Sequence, residues 1–267
     1  MRSPLFHAFY TNAFGRRGAG FRHLFLAPWS ATDRQRIGQW LQSIRPVDRQ
    51  GVTVNCFRIG RTVHAAFARV DAAFARDEHG RGGGLLAHAL LVPLDESRPP
   101  GSFTKALLDR ERGLDRPQVD DADRLEALLE VCRLASEVDV RPFDLAELST
   151  VEPGFAAAFV AAASRTGREE VVLPAASDDD LVDRLATVVG GLPPRLRLAC
   201  RWAVGLRPTP DLSFVARPGP AVPSPGLGPQ LEDGWRRCLA TGCEGAVVGP
   251  ADDWSVRSWE MLLSRRG

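Results

Sequence analysis

The run Leu85-Leu-Ala-His-Ala-Leu-Leu-Val92 constrains the fold more than any other segment. Its alternating positions are apolar on both sides apart from His88, as expected of a strand in the interior of a sheet. Gly80-Arg81-Gly82-Gly83-Gly84 leads into it. That loop reads as a tight bend permitted by glycine. A phosphate loop needs a strand before it, a helix after it and a Gly-Lys-Ser/Thr end, and here the loop opens a strand instead.

The rest of the first hundred residues supplies neighbours for this strand. Phe6–Thr11 and Gly20–Ala27 are strands around the turn Gly15-Arg16-Arg17-Gly18. Thr32 to Ile44 is a helix, with Asp33 early, a stripe of Ile37, Trp40, Leu41 and Ile44, and Pro46 as its stop. Residues 52–67 are a hairpin turning at Gly60-Arg61, so that Ile59 faces Thr62 and Phe57 faces His64. Alternation puts Val52, Val54, Cys56, Val63, Ala65 and Phe67 on a core face. Thr53, Asn55, Phe57 and His64 fall on a mixed, half-exposed face. Residues 71–84 read as an irregular connection.

After about residue 95 the pattern changes. A short helix opens at Ser102, and a second, amphipathic helix begins near Leu125 behind Asp120, Asp121 and Asp123, where acids suit the helix dipole. Gly154–Ser164 is a small-residue helix. Glu170–Pro174 is a strand, followed by a helix capped by Ser177. Residues 192–204 read as a helix entered through Pro193 and Pro194, and Asp211–Ala216 as a strand. The Pro/Gly-rich segment 217–229 reads as an extended linker, and 231–240 and 255–264 as short helices. The expected fold class is α+β. Residues 1–100 form a mainly antiparallel sheet packed on helices, and 101–267 a smaller helical and α/β portion, separate or continuous with the first.

Composition narrows the function classes. The 267 residues are 44% hydrophobic and 25% charged, which supports a buried core. A net charge of +1 argues against a general nucleic-acid or membrane-surface binder. Lys105 is the only lysine among 34 basic residues, a coding bias of a GC-rich genome before anything else. Five scattered cysteines, Cys56, Cys132, Cys200, Cys238 and Cys243, fit a reducing cytoplasm better than a disulfide framework. No segment reaches the ~20 apolar residues that span a bilayer. The expected protein is cytoplasmic, with no membrane insertion and no nucleic-acid partner.

Few residues suggest chemistry. His88 is either a core histidine satisfied by a backbone carbonyl or a functional one, with Cys56 as its partner in a hydrolase or transferase. No spacing of His, Cys, Asp and Glu matches a known metal site, and no cofactor is implied. Asp178-Asp179-Asp180 reads as a solvated cluster at a helix start. The six tryptophans read as core anchors, with interface anchoring the alternative. Arg16, Arg17, Phe21 and Arg22, with Phe57 and His64, form the candidate interaction patch.

Phe9-Tyr-Thr-Asn, Gly18-Ala-Gly-Phe-Arg, and Gly80-Arg-Gly-Gly-Gly-Leu-Leu-Ala-His-Ala-Leu-Leu-Val resemble the N-terminal region of GTPase-associated adaptor proteins of bacterial conflict and signalling systems. Leu-Pro-Pro-Arg-Leu-Arg (192–197), leading toward Leu212-Ser-Phe-Val, is similar to a second stretch of that family. The likeness covers roughly residues 6–95 and, more weakly, 165–217. It implies a non-catalytic adaptor or scaffold that couples a small bacterial GTPase to other proteins, and it supplies no catalytic residues.

Overall fold

The structure, a computed structural model, describes residues 2–13, 20–76, 79, 81–94, 103–114, 119, 121–141, 155, 158–159, 170–190, 200–209 and 212–220. Its strands are β1 (Arg2–Pro4), β2 (Phe6–Thr11), β3 (Arg22–Leu26), β4 (Gln50–Ile59), β5 (Thr62–Arg76), β6 (Gly82–Pro93), β7 (Glu137–Asp139), β8 (Glu170–Pro174), β9 (Trp202–Val204) and β10 (Phe214–Gly219). Its helices are α1 (Ala31–Ser43), α2 (Phe103–Arg112), α3 (Asp121–Leu134) and α4 (Asp178–Gly190). Eight strands form one sheet in the order β3-β2-β6-β5-β4-β9-β10-β8, and β1 pairs with β7 beside it. The β3 to β9 part is antiparallel, whereas β10 runs parallel to both β9 and β8. The architecture is α+β.

As its two apolar faces require, β6 lies between β2 and β5 in the interior of the sheet. One face presents Ala8, Ala66, Ala68, Ala87 and Ala89, and these small side chains let Ile37, Trp40 and Leu41 of α1 pack down onto the strands. The opposite face presents larger groups. Phe67, Leu90 and Val92 meet Leu107 and Leu108 of α2 and Leu181 and Leu185 of α4, while Phe9 and Leu86 meet Leu125, Leu128 and Leu129 of α3. Two helix starts are capped by the serine before them: Ser30 Oγ accepts from Asp33 N at 3.2 Å, and Ser177 Oγ from Asp180 N at 3.2 Å.

The hairpin register matches the sequence reading, with Phe57 opposite His64, Ile59 opposite Thr62, and Gly60 at φ +58° in the turn. Four expectations are corrected. The face of Thr53, Asn55, Phe57 and His64 is not half-exposed: α1 and its flanks cover it, and Thr53, Asn55 and His64 are buried. Residues 71–84 are not an irregular connection, because β5 continues to Arg76 and β6 starts at Gly82. The pairing is shifted between Asp71 and Ala75, and a bulge falls at Gly83, whose φ of +115° favours glycine. Trp202–Val204 is not helical but forms β9, a short apolar run buried on both sides, a pattern that periodicity alone does not separate from a helix. Finally, β10 runs on through Arg217–Gly219, the expected start of a linker.

The helix expected over 154–164 falls largely outside the described residues, as do residues 191–199 and everything from 221 on, including Trp235, Trp254, Trp259, Cys238 and Cys243. Trp29, Trp40 and Trp202 are buried, as expected of core anchors. Strands from both sides of residue 100 share the one sheet.

Candidate functional site

At one end of the sheet β3 is the outermost strand, paired only with β2 among the described residues. Beside it Phe21 is 57% exposed and stacks on Tyr10 with ring centres 5.1 Å apart. The aromatic contacts continue along the strand from Tyr10 to His23 (4.9 Å), His23 to Phe25 (6.3 Å) and Phe25 to Trp29 (6.2 Å). Arg22 braces the adjoining bend by donating from Nη2 to the carbonyl of Ala13 at 2.9 Å. Arg16 and Arg17 lie outside the described residues. Phe57 packs against Trp40 at 5.0 Å, and His64 is buried with its Nδ1 3.2 Å from the Thr62 carbonyl. The structure therefore keeps Phe21 and Arg22 together at the β3 end and places Phe57 and His64 beneath α1. Burial holds the His64 pKa below the ordinary histidine range, more than the Thr62 carbonyl and Asp33 raise it.

Cys56 and His88 are not brought together. Cys56 stands opposite Ala65, Ala65 opposite Val92, and His88 is four positions further along β6. Two strand spacings and four residue rises put their backbones roughly 16 Å apart. Burial also pushes the Cys56 thiol up to about 11, the Arg201 charge opposing this only in part, so the group is not a thiolate at neutral pH.

His88 instead belongs to a cluster that no sequence spacing announced. In the β2–β6 register it lies opposite Phe9, while His7 lies opposite Leu90, so the two histidines are diagonal neighbours on one face. His7 Nδ1 is 3.0 Å from His88 Nε2. Cys132, near the end of α3, places Sγ 3.8 Å from His88 Nε2. The same end of the helix offers the Ala135 carbonyl, which accepts from His7 Nε2 at 2.9 Å. A carbonyl only accepts, so His7 carries its proton on Nε2 and, when neutral, turns its Nδ1 lone pair toward His88. All three side chains are about 1% exposed, and the ring of Phe9 stacks on that of His88 at 4.4 Å. Burial lowers the His7 pKa to about 4, against a raising effect of the Ala135 carbonyl, so its imidazole is neutral at pH 7.

A third feature is a cleft of about 290 Å³ between the β4–β5 strands, α2 and the start of α4. Both of its arginines are paired with acids, and Asp178 and Asp179 line it as well. Arg69 meets the buried Glu111 at 3.2 Å and Gln50 at 2.6 Å, and Arg112 meets Asp183 at 2.6 Å. Asp180 in turn pairs with Arg184 at 2.8 Å and accepts from Ala176 N, so the Asp178–Asp180 run serves the helix start as expected. Matched charges of this kind leave little net positive field to hold a phosphate.

No known protein-family model, curated protein or solved structure matches the chain.

Proposed function

We propose that this protein is a non-catalytic adaptor that takes hold of a partner protein along the outer edge of β3. The observation that carries the reading is the edge itself: among the described residues β3 is an outermost strand, with an exposed phenylalanine at its start and a row of aromatic contacts behind it. An edge strand offers unpaired backbone N–H and C=O groups, to which an extended segment adds with main-chain hydrogen bonds. Aromatic side chains beside such an edge then give selectivity. The rival hydrolase or transferase loses its base of support with Cys56 and His88 roughly 16 Å apart. A small bacterial GTPase as the partner, and a place in a cytoplasmic multi-protein system, rest on the resemblance of residues 6–95 alone.

The test is recovery of partners by the tagged full-length chain from its own cells, compared with Phe21→Glu and with the double variant Arg16→Ala, Arg17→Glu. The adaptor reading expects a stoichiometric partner whose recovery falls at least tenfold in the variants while the melting temperature stays within about 2 °C of the parent, as the exposure of Phe21 allows for Phe21→Glu. Equal recovery by parent and variants removes the β3 end as the docking edge.

A further inference from the structure

We propose that His7, His88 and Cys132 form a buried binding site for a single d10 metal ion, Cu(I) or Zn(II). The three donors come from β2, β6 and α3, and no two of their ligand atoms are more than 4.8 Å apart. Around a four-coordinate centre with metal–nitrogen bonds near 2.0–2.1 Å and a metal–sulfur bond near 2.3 Å, nitrogens sit about 3.4 Å apart and nitrogen and sulfur about 3.6 Å. The observed 3.0 Å and 3.8 Å need shifts of only a few tenths of an ångström, and the remaining pair, His7 Nδ1 and Cys132 Sγ, lies within 4.8 Å and closes by at most about 1.2 Å on binding.

The surroundings fit a metal as well as the donors do. A ligating imidazole usually donates its other N–H to a carbonyl or carboxylate, which fixes the tautomer and aims the lone pair. His7 already does this, with Nε2–H on Ala135 and Nδ1 turned inward. Binding balances as follows. Cys132 gives up its thiol proton to solvent, the His88 proton moves from Nε2 to Nδ1, and the ion takes the two nitrogen lone pairs and the thiolate. One proton is released per ion, and nothing is oxidised or reduced.

Thiolate with imidazole is a donor set that suits both ions. Charge favours Cu(I): one thiolate and two neutral imidazoles cancel its single positive charge. Zn(II) leaves +1 in a cage of Phe9, Leu86, Leu125, Leu128 and Leu129, where net charge is costly. The competing account is a closed hydrogen-bond relay, in which His88 Nε2–H donates to His7 Nδ1 and no ion is taken up.

Chelator-treated full-length protein would be titrated with Zn(II) against a chromophoric chelator, and anaerobically with Cu(I) against bicinchoninate. The parent chain, Cys132→Ala, and a Cys238→Ala, Cys243→Ala variant run in parallel. The expected result is one equivalent bound by the parent and by the Cys238/Cys243 variant, with affinity at least 100-fold weaker in Cys132→Ala. The tighter of the two ions identifies the occupant. No competition by the parent for either ion overturns the site, and so does binding that survives in Cys132→Ala or disappears with Cys238 and Cys243. If Cys132→Ala does not fold, Co(II) loading of the parent decides. A charge-transfer band of one-thiolate intensity supports the site, and absence of a thiolate band overturns it.

Discussion

At the scale of single residues, environment and not residue type separates the described cysteines, Cys56, Cys132 and Cys200. Cys56 sits half-buried on β4 with its thiol pushed up to about 11 by burial. Alkylation consumes thiolate, so at pH 8 the native chain should modify Cys56 about 100-fold more slowly than the urea-unfolded chain, whose thiol has an ordinary pKa near 8.5–9. Peptide mapping after timed iodoacetamide treatment reads this directly, and modification at the unfolded rate would restore Cys56 as a candidate nucleophile. His88 was conspicuous in the sequence because a polar group interrupts an apolar strand. Its neighbours were not. His7 passes as an ordinary strand residue, and Cys132 as one more position on an amphipathic helix. Only the register that sets His7 opposite Leu90, and the packing of α3 over it, makes them a cluster. Contacts between residues 81 and 44 positions apart depend on that pairing, which local periodicity does not encode.

At the scale of elements, the segments with strong local signals were legible. Thr32 to Ile44 carried an early acid, a stripe and a stop, and the helix is Ala31–Ser43. The Gly60-Arg61 turn settled the hairpin register down to individual pairs. Trp202–Val204 was misread because three apolar residues suit either period, and its identity as a strand comes from its partners on β4 and β10. That junction is tight. Gly51 on β4 lies under Gly205 and Leu206, where a Cβ would stand 2.7 Å from the Gly205 carbonyl oxygen and would also run into the Leu206 side chain. The neighbouring chain is held in place, with Val47 N donating to Gly205 O at 2.9 Å and Arg207 N to Arg45 O at 2.9 Å, so moving it away strains these bonds. Gly51→Ala should therefore cost about 1–3 kcal/mol by overpacking. Gly60→Ala is the control: its site is open, with nothing within 4 Å, and its φ of +58° makes the cost about 1 kcal/mol of backbone strain alone. Urea midpoints for the two variants check the ranking, and a Gly51→Ala protein as stable as the parent would mean that the 205–206 segment does not press on β4.

At the scale of the whole molecule, the change of character near residue 95 divides the sequence more sharply than it divides the sheet. The strand content before residue 100 was readable from alternation, but the filling of the sheet's larger-residue face was not. Nothing in the first hundred residues says that Leu107, Leu108, Leu181 and Leu185 will cover Val54, Phe67, Leu90 and Val92. Those four strand residues are at most 5% exposed. Uncovering them costs roughly 1.5–3 kcal/mol each, or about 6–12 kcal/mol together. That is comparable with the 5–15 kcal/mol that typically holds a domain folded. Removing the later strands also opens the edge of β4 where Val52 pairs with Val204 and Thr53 with Ala203, and deletes the acceptor of the Thr53 Oγ1 bond to Trp202 O at 2.9 Å. Residues 1–100 expressed alone should consequently lack a cooperative thermal transition, bind a hydrophobic dye and self-associate through the bared β4 edge. Circular dichroism melts and sedimentation of the fragment beside the full chain provide the measurement. A monomeric fragment with a sharp melt and little dye binding would show instead that the smaller-residue face under α1 is core enough, and that the strands after residue 200 are an addition to a sheet already stable by itself.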